Sequence, residues 1–338
     1  MEYIDFGKTG MKVSRTAFGA LPIQRCNMED SAAILRRAYE SGINFYDTAR
    51  GYTDSEEKIG YALGDVRDKI LIATKTPSKD PESVRKDLET SLRVLNTGYI
   101  DLYQFHNYYP TDELIDLVQG FIREGKVLHM GLTLHKRDLA FDAVRSGKFE
   151  SLQFPFSGLS DEEDRSLVKE CEAAGMGFIA MKAMGGGLIQ HVEANFAFIR
   201  AEKNVLPIWG IQRMEELEQF LELEERHVAL TDDFRQLMAE ERAALGDRFC
   251  RGCGYCLPCP ANIELNMACR MDLFMTRAPY AESLTPQAQE KMNRIENCTE
   301  CGACATRCPY GLKPYELIKT QLVWYRNFVA EHQAKTPQ

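Results

Sequence analysis

Eight cysteines near the end of the chain form the strongest chemical pattern in the sequence. They lie in two runs, Cys250-x2-Cys253-x2-Cys256-x2-Cys259-Pro260 and Cys298-x2-Cys301-x2-Cys304-x3-Cys308-Pro309. Soft thiolates at this spacing bind zinc or iron–sulfur clusters. The second run has the spacing of bacterial [4Fe–4S] proteins, including the proline after the last cysteine. The first run is one residue shorter before its last cysteine.

Zinc is the alternative metal, and separate Cys-x2-Cys pairs would be its usual pattern. Four cysteines in each run, with each run ending in Cys-Pro, favour two [4Fe–4S] clusters instead. In two-cluster ferredoxins the fourth cysteine of each run binds the other cluster. That rule predicts one cluster on Cys250, Cys253, Cys256 and Cys308, and a second on Cys298, Cys301, Cys304 and Cys259. The remaining cysteines are expected to be small buried hydrophobic residues: Cys26, Cys171 and Cys269.

Four other reactive side chains lie in the first third of the chain. Asp47, Lys75 and His106 fall at the ends of predicted strands, and Tyr52 follows five residues after Asp47. A phenol titrates near about 10, and a neighbouring ammonium lowers that pKa. Asp47 would hold Lys75 charged, and Tyr52 would protonate a carbonyl oxygen as hydride reaches the carbon. His106 would orient the substrate, although a structural ion pair and an interior histidine are the alternative interpretation.

Short apolar runs that alternate with segments of helical periodicity must position these side chains. The predicted strands are Thr16–Ala20, Ile43–Asp47, Ile70–Thr74, Ile100–His106, Leu128–Thr133, Leu152–Phe156, Phe178–Met184 and Leu206–Gly210. A hairpin is expected before them, over Ile4–Val13. Eight strand–helix units predict a parallel (β/α)8 TIM barrel of the α/β class. An open doubly wound sheet is the alternative, but no G-x-G-x-x-G follows the first strand.

The predicted helices are Ser31–Ser41, Ser55–Leu63, Ser83–Leu95, Thr111–Arg123, Lys136–Arg145, Asp161–Ala174, Val192–Glu202 and Met214–Glu225. Ser31, Ser55 and Thr111 have the residue types of helix starts. Gly42, Gly98 and Gly175 have the residue type of helix stops. The change in pattern predicts a barrel over residues 1–230 and a small helical two-cluster ferredoxin-like domain over residues 231–330.

Composition excludes several classes of protein. The 338 residues carry 41 basic and 50 acidic side chains, a net charge of −9 that does not suggest nucleic-acid binding. Residues 1–12 lack the apolar segment of a signal peptide, and no run approaches the ~20 apolar residues of a membrane span. We therefore expect a cytoplasmic protein with neither a nucleic-acid nor a membrane partner.

Three segments resemble the aldo-keto reductases. Residues 44–56, NFYDTARGYTDSE, resemble the signature of that family, and Ala73-Thr74-Lys75 and residues 101–106, DLYQFH, match its lysine and histidine segments. The cysteine runs are similar to the tail of the branch with a C-terminal ferredoxin-like domain. The resemblance implies a TIM barrel that reduces aldehydes and ketones with NAD(P)H. It also implies that Tyr52 is the general acid, that Lys75 and Asp47 tune it, and that His106 orients the substrate.

The same resemblance implies contacts to a nicotinamide cofactor. Gln153 matches the glutamine that binds the carboxamide, and Thr133 stands where a serine is usual. Leu134 replaces an asparagine, and Met181 replaces the aromatic residue that stacks on the ring. Loops after the seventh and eighth strands usually bind phosphate in such barrels. They contain Gly185, Gly186, Gly187, Gly210 and Arg213. NADPH and NADH both stay open at this point.

Two functions follow from the sequence. The first is an oxidoreductase that reduces a small carbonyl substrate with NADPH or NADH, with two [4Fe–4S] clusters that are structural or that exchange electrons with a redox partner protein. The second is an iron–sulfur electron-transfer or binding protein whose barrel no longer reduces carbonyls.

Overall fold

The computed structural model describes residues 1–187, 189–245, 250–252, 254–277, 279–308 and 310–333. The chain divides into two compact units, Met1–Ala239 and Glu240–Gln338. The division at residue 230 that the sequence pattern suggests stays a prediction.

The first unit is a closed barrel of parallel strands. Its strands are β3 (Ala17–Gly19), β4 (Phe45–Asp47), β5 (Leu71–Thr76), β6 (Ile100–His106), β7 (Val127–Thr133), β8 (Ser151–Pro155), β9 (Gly177–Met181) and β10 (Val205–Gly210). They pair in chain order, and β10 closes the barrel against β3. The prediction of a TIM barrel is therefore confirmed, and the open sheet is wrong. The seventh strand ends at Met181, three residues earlier than expected.

An antiparallel hairpin of β1 (Tyr3–Asp5) and β2 (Lys12–Ser14) precedes the barrel. Phe6 between its strands packs in one buried cluster with Phe45, Ala73 and Leu102 from the barrel strands. Gly7 has a φ of +55°, and a Cβ there would lie 2.5 Å from the backbone nitrogen of Gly177, the first residue of β9. The hairpin therefore covers the N-terminal ends of the strands, and the C-terminal ends form the open mouth.

Helices surround the strands of the first unit. They are α1 (Met28–Glu40), α2 (Ser55–Leu63), α3 (Pro81–Val94), α4 (Asp112–Arg123), α5 (Arg137–Ser146), α6 (Glu162–Ala174), α7 (Val192–Arg200) and α8 (Met214–Glu225). Thr111 caps α4 as predicted, since its side chain accepts from the backbone nitrogen of Leu114. Ser31 does not start α1, because Asn27 is the N-cap. Gly98 does not stop α3, which ends at Val94.

The second unit is helical. The helix α9 (Asp232–Leu245) crosses from the first unit, and the others are α10 (Leu265–Ala268), α11 (Met271–Arg277), α12 (Pro286–Asn293), α13 (Ala303–Thr306) and α14 (Pro314–Gln333). Their buried core includes Cys256, Cys269 and Cys304 beside apolar residues of α14 such as Ile318. None of the helices in the described ranges is long and apolar enough to cross a membrane.

Candidate functional site

A buried ion pair lies at the centre of the barrel mouth. Asp47 is the last residue of β4, and Lys75 lies on the neighbouring β5. The Nζ atom of Lys75 donates to Oδ1 of Asp47 at 2.6 Å and to the backbone oxygen of Thr48 at 2.6 Å. Burial raises the pKa of Asp47 and lowers the pKa of Lys75, and the attraction between the two charges opposes both shifts.

Two amide side chains, from β6 and β8, extend to the same carboxylate. The Nε2 atom of Gln104 lies 3.5 Å from Oδ2 of Asp47, and the Nε2 atom of Gln153 lies 3.5 Å from Oδ1. Both contacts are long for a hydrogen bond, so they orient the carboxylate more than they stabilise it. They show that Gln153, a predicted cofactor contact, lies beside the predicted catalytic pair.

Tyr52 lies in the loop between β4 and α2. Its ring centroid is 5.2 Å from the Nζ atom of Lys75, and its ring meets His106 edge-on at a centroid distance of 5.8 Å. Burial and the Asp47 carboxylate raise the pKa of Tyr52. This is the opposite of the shift expected from Lys75, because the Lys75 charge is offset by Asp47 and desolvation disfavours the phenolate.

His106 is the last residue of β6, one strand further around the barrel. Burial, together with the Lys75 charge, lowers its pKa to about 3. The imidazole is therefore neutral near pH 7, with one nitrogen able to donate a hydrogen bond and the other able to accept one. The four side chains that the sequence singled out thus lie together at the ends of three adjacent strands.

A buried carboxylate behind this group was missed by sequence reasoning. Glu56 is 1% exposed and accepts hydrogen bonds from Thr74 Oγ1 at 2.5 Å and from Ser91 Oγ at 2.7 Å. It also forms an ion pair with Arg50, and its charge favours the protonated form of Lys75. In sequence Glu56 looks like an ordinary first-turn helix carboxylate, because nothing in its local pattern shows that α2 turns it inward.

The predicted nicotinamide contacts continue around the mouth. Thr133 ends β7 and pairs in register with both His106 and Gln153. The Oγ1 atom of Thr133 lies 3.5 Å from Oε1 of Gln153. Met181 at the end of β9 is 8% exposed and packs in a buried apolar cluster. The amide of Gln153 and the hydroxyl of Thr133 thus lie at the mouth, whereas the side chain of Met181 is mostly part of the core.

The predicted phosphate residues follow β9 and β10. Gly185, Gly186 and Gly187 form a tight turn in which all three φ angles are positive, a conformation that suits glycine. A Cβ at Gly210 would lie 3.1 Å from Cγ of Pro22. Arg213 is exposed at the start of α8, and its Nη2 and Nε atoms lie 2.8 and 3.1 Å from Oε1 of Glu216.

Glu216 also accepts a hydrogen bond of 2.9 Å from the backbone nitrogen of Gln212 through its other carboxylate oxygen. Without this contact, a backbone N–H group at the start of a helix would be free to bind an anion. The start of α8 therefore already holds a carboxylate of the chain itself, and the Arg213 charge is partly offset.

The cysteines of the two runs converge in the second unit. A pocket in this unit is lined by Cys259, Cys298, Cys301 and Cys304, and also by Cys256. The first four are the complete ligand set predicted for the second cluster. Of the other predicted set, Cys256 lies in the buried core of the second unit and Cys250 packs against that core. Cys308 lies between α13 and α14. Cys253 and Pro309 lie outside the described residues.

Among the residues that the structure describes, no group of three or more His, Cys, Asp or Glu residues is placed to hold a single metal ion. In an iron–sulfur cluster each thiolate binds a different iron, so its cysteines are spread around a larger volume. A pocket with thiols on its walls fits that requirement.

Comparison with known proteins bears on both units. The model of the aldo/keto reductase family matches residues 15–197. This chain belongs to the aldo/keto reductase family. The model of a 4Fe-4S dicluster domain matches residues 249–313, so this chain carries an iron–sulfur domain after its barrel.

Individual relatives match the barrel unit of this chain. A probable aldo-keto reductase of Glycine max is 29% identical over an alignment of 209 residues, and the match covers 54% of this chain and 60% of that protein. The chain therefore spans less than two thirds of that relative. The holo form of an aldo-keto reductase from Bacillus halodurans has a TM-score of 0.65 at 21% identity, over 71% of this chain and 96% of the other.

A second solved structure is the aldo-keto reductase from Klebsiella pneumoniae in complex with NADPH. It has a TM-score of 0.62 at 21% identity and covers 71% of this chain and 95% of the other. At this identity both solved structures establish the barrel fold of the first unit.

Proposed function

We propose that this reductase reduces an aldehyde or ketone to an alcohol at the barrel mouth, with NADPH or NADH as the reductant. The observation that carries the proposal is the buried Lys75–Asp47 pair beside Tyr52, with His106 at the edge of the tyrosine ring. A protonated phenol, a fixed ammonium and a neutral imidazole at one mouth are the groups that carbonyl reduction needs.

Tyr52 acts as the proton donor. Its raised pKa keeps the phenol protonated near neutral pH, so the O–H bond breaks only when a stronger base forms beside it. That base is the carbonyl oxygen, which gains negative charge as a hydride reaches the carbon. The proton passes to this oxygen and the alcohol forms. The nearby ammonium of Lys75 then stabilises the phenolate that is left on Tyr52.

His106 positions the carbonyl. Because its pKa is about 3, the ring is neutral and donates a hydrogen bond to the carbonyl oxygen without competing as an acid. Asp47 holds Lys75 at 2.6 Å, which fixes the ammonium near the tyrosine ring. Glu56 adds a second buried negative charge that keeps Lys75 protonated.

The nicotinamide end would be held by Gln153 and Thr133, whose amide and hydroxyl groups suit a carboxamide. A bound NADPH or NADH supplies the hydride. The glycines at 185–187 and Gly210 would let a phosphate approach the backbone, and Arg213 would face it if released from Glu216. The buried, neighbouring positions of Thr133 and Gln153 at the mouth support this assignment.

The eight cysteines would hold two [4Fe–4S] clusters with the crossed ligand sets given above. Cys259, Cys298, Cys301 and Cys304 line one pocket together with Cys256, and this supports the set that includes Cys259. Clusters transfer single electrons, so a redox partner protein would be the source or the acceptor. A structural role is equally compatible with a unit whose core contains the cysteines themselves. Reduced thiols suit a cytoplasmic location.

A second candidate is an electron-transfer protein whose barrel no longer reduces carbonyls. The observations that favour it are Met181 in the core and the Glu216 carboxylate at the start of α8, both of which weaken the nicotinamide site.

Anaerobic turnover separates the two candidates. The full chain with reconstituted clusters is assayed against a panel of aldehydes and ketones with NADPH and with NADH, beside the Tyr52→Phe variant. We expect saturable cofactor binding in both proteins and turnover only in the wild type. Turnover that is equal in the variant, or no binding of either cofactor, would exclude the reductase.

A further inference from the structure

The guanidinium of Arg307 joins the two cysteine runs. Arg307 is the C-cap of α13, and its Nε atom donates to the backbone oxygen of Ala303 at 3.0 Å. Its Nη1 atom donates to the backbone oxygen of Pro258 at 3.1 Å. Pro258 immediately precedes Cys259 of the first run, and Ala303 immediately precedes Cys304 of the second. One side chain therefore connects the backbone beside two of the cysteines predicted to bind the second cluster.

Arg307 also lines the pocket that these cysteines share. The four predicted ligands of the second cluster lie on the walls of this pocket, and Arg307 lies on the same walls. An arginine side chain is charged at every pH that a folded protein meets. A cluster bound by those four cysteines would therefore share its pocket with a positive charge.

The charge of Arg307 is not offset by an ion pair. Both of its acceptors are neutral backbone carbonyls, and no carboxylate among the residues that the structure describes pairs with it. Other basic residues of this unit differ in this respect. Lys319 pairs with Glu300. Arg326 pairs with Glu296.

We propose that Arg307 is a positioning residue for the second cluster: it holds the backbone before Cys259 in place for the crossed ligation, and its charge raises the reduction potential of that cluster. Reduction adds one electron from an external donor to a cluster that four thiolates already make anionic. A neighbouring positive charge stabilises the added electron, because cluster potentials depend on the charge around the sulfur ligands. The proposal rests on cluster binding by the two runs and is independent of any reaction in the barrel.

The test uses the full chain with anaerobically reconstituted clusters, as wild type, Arg307→Met and Arg307→Lys. Arg326→Met is the matched control, since it removes an arginine of the same unit that does not line the pocket. Iron and sulfide are quantified, and the release of iron to a chelator is followed over time. A redox titration followed by EPR gives the midpoint potentials at low and at high salt.

We expect one potential to fall in Arg307→Met. At a fixed ambient potential the ratio of reduced to oxidised cluster should fall by up to about tenfold, which is about 59 mV for one electron. Arg307→Lys keeps the charge and should keep most of this potential. Both Arg307 variants should release the iron of one cluster faster than the wild type, because neither reproduces the fork between two carbonyls. Arg326→Met should match the wild type in both measurements.

Salt separates an effect of charge from an effect of structure. Arg307 is exposed, so its field extends over about 30 Å at 0.01 M ionic strength and over only about 3 Å at 1 M. The difference in potential between the wild type and Arg307→Met should therefore shrink at high salt, whereas the difference in iron release should persist.

Four results would contradict the proposal. Unchanged potentials and unchanged iron release in Arg307→Met would leave Arg307 without a role at the cluster. Equal shifts in Arg307→Met and Arg326→Met would show an effect of net charge alone. A difference in potential that high salt leaves unchanged would exclude the role of the charge. A wild type without iron and sulfide would overturn the cluster assignment itself, before any variant is compared.

Discussion

The Nζ atom of Lys75 lies 2.6 Å from Oδ1 of Asp47, and both side chains are almost fully excluded from solvent at the ends of adjacent strands. Two opposite charges held this way lose their hydration, and each depends on the other to stay charged. The charges of the same pair also shift the pKa values of Tyr52 and His106. Its integrity should therefore control both the stability of the barrel and the proton transfer.

Asp47→Asn should destabilise the barrel by about 3–5 kcal/mol, because it leaves Lys75 buried without its partner charge. Carbonyl reduction should fall with it. The double variant Asp47→Asn with Lys75→Met removes both charges, so it should recover most of the stability and none of the activity. Urea unfolding and turnover measure the two effects.

The exposed Lys12–Asp5 pair is the matched control for this experiment, since its side chains are 72% and 74% exposed. Asp5→Asn should change stability by less than about 1 kcal/mol. Equal effects of Asp47→Asn and Asp5→Asn would mean that the buried pair is not coupled.

His106 should make the barrel less stable in acid. Its pKa is about 3 in the folded chain against 6.5 for the free side chain, so the unfolded chain binds the proton first as the pH falls. The stability that this group contributes is complete above pH 6.5 and is lost progressively between pH 6.5 and 3. Within that window the slope is at most about 1.4 kcal/mol per pH unit.

His106→Gln removes that titration, so its free energy of unfolding should depend less on pH between 6.5 and 3 than that of the wild type. Urea unfolding at a series of pH values gives both slopes. Parallel curves for the two proteins would show that His106 binds its proton at the same pH in the folded and the unfolded chain.

Glu216→Gln should release Arg213 and remove a negative charge from the start of α8. We expect NADPH to bind about tenfold more tightly, because a charge-assisted hydrogen bond to its extra phosphate becomes available. NADH binding should change little. Quenching of protein fluorescence measures both affinities.

Glu215→Gln is the control, since it neutralises another first-turn carboxylate of α8. A similar gain for NADH in Glu216→Gln would contradict specific recognition of the phosphate by Arg213.

Double substitutions test the crossed cluster ligands. If Cys259 and Cys298 bind the same cluster, Cys259→Ser and Cys298→Ser should each lose one cluster's iron, and combining them should lose no more. Cys259→Ser combined with Cys250→Ser should lose nearly all the iron, since each removes a ligand from a different cluster. The reverse pattern of iron content would show that each run binds its own cluster.

The local sequence pattern was sufficient to predict the barrel and the three strands that carry Asp47, Lys75 and His106. Buried parallel strands form continuous apolar runs, and the helices between them have clear periodicity. The bounds of α2 and α8 were predicted to the residue. Ser31 was misread because Asn27, four residues earlier, is an equally good cap. Gly98 was misread because Asn96 takes the left-handed conformation first, with a φ of 52°.

Tertiary effects set the limit of sequence reasoning at the site. The direction of the Tyr52 pKa depends on burial and on the capture of Lys75 by Asp47, and neither is visible in a list of residue types. Glu56 and Glu216 are both glutamates in the first turn of a helix. The structure buries Glu56 behind Lys75 and ties Glu216 to Arg213.

The order of strands in the barrel has an evolutionary consequence. Asp47, Tyr52, Lys75 and His106 all come from β4, β5, β6 and the loop after β4, which are consecutive both in sequence and around the barrel. The residues proposed to hold the nicotinamide come from β7 onwards. The proton-donating group can therefore be inherited as one uninterrupted segment, whose contact with the cofactor side is that of Gln153 with Asp47.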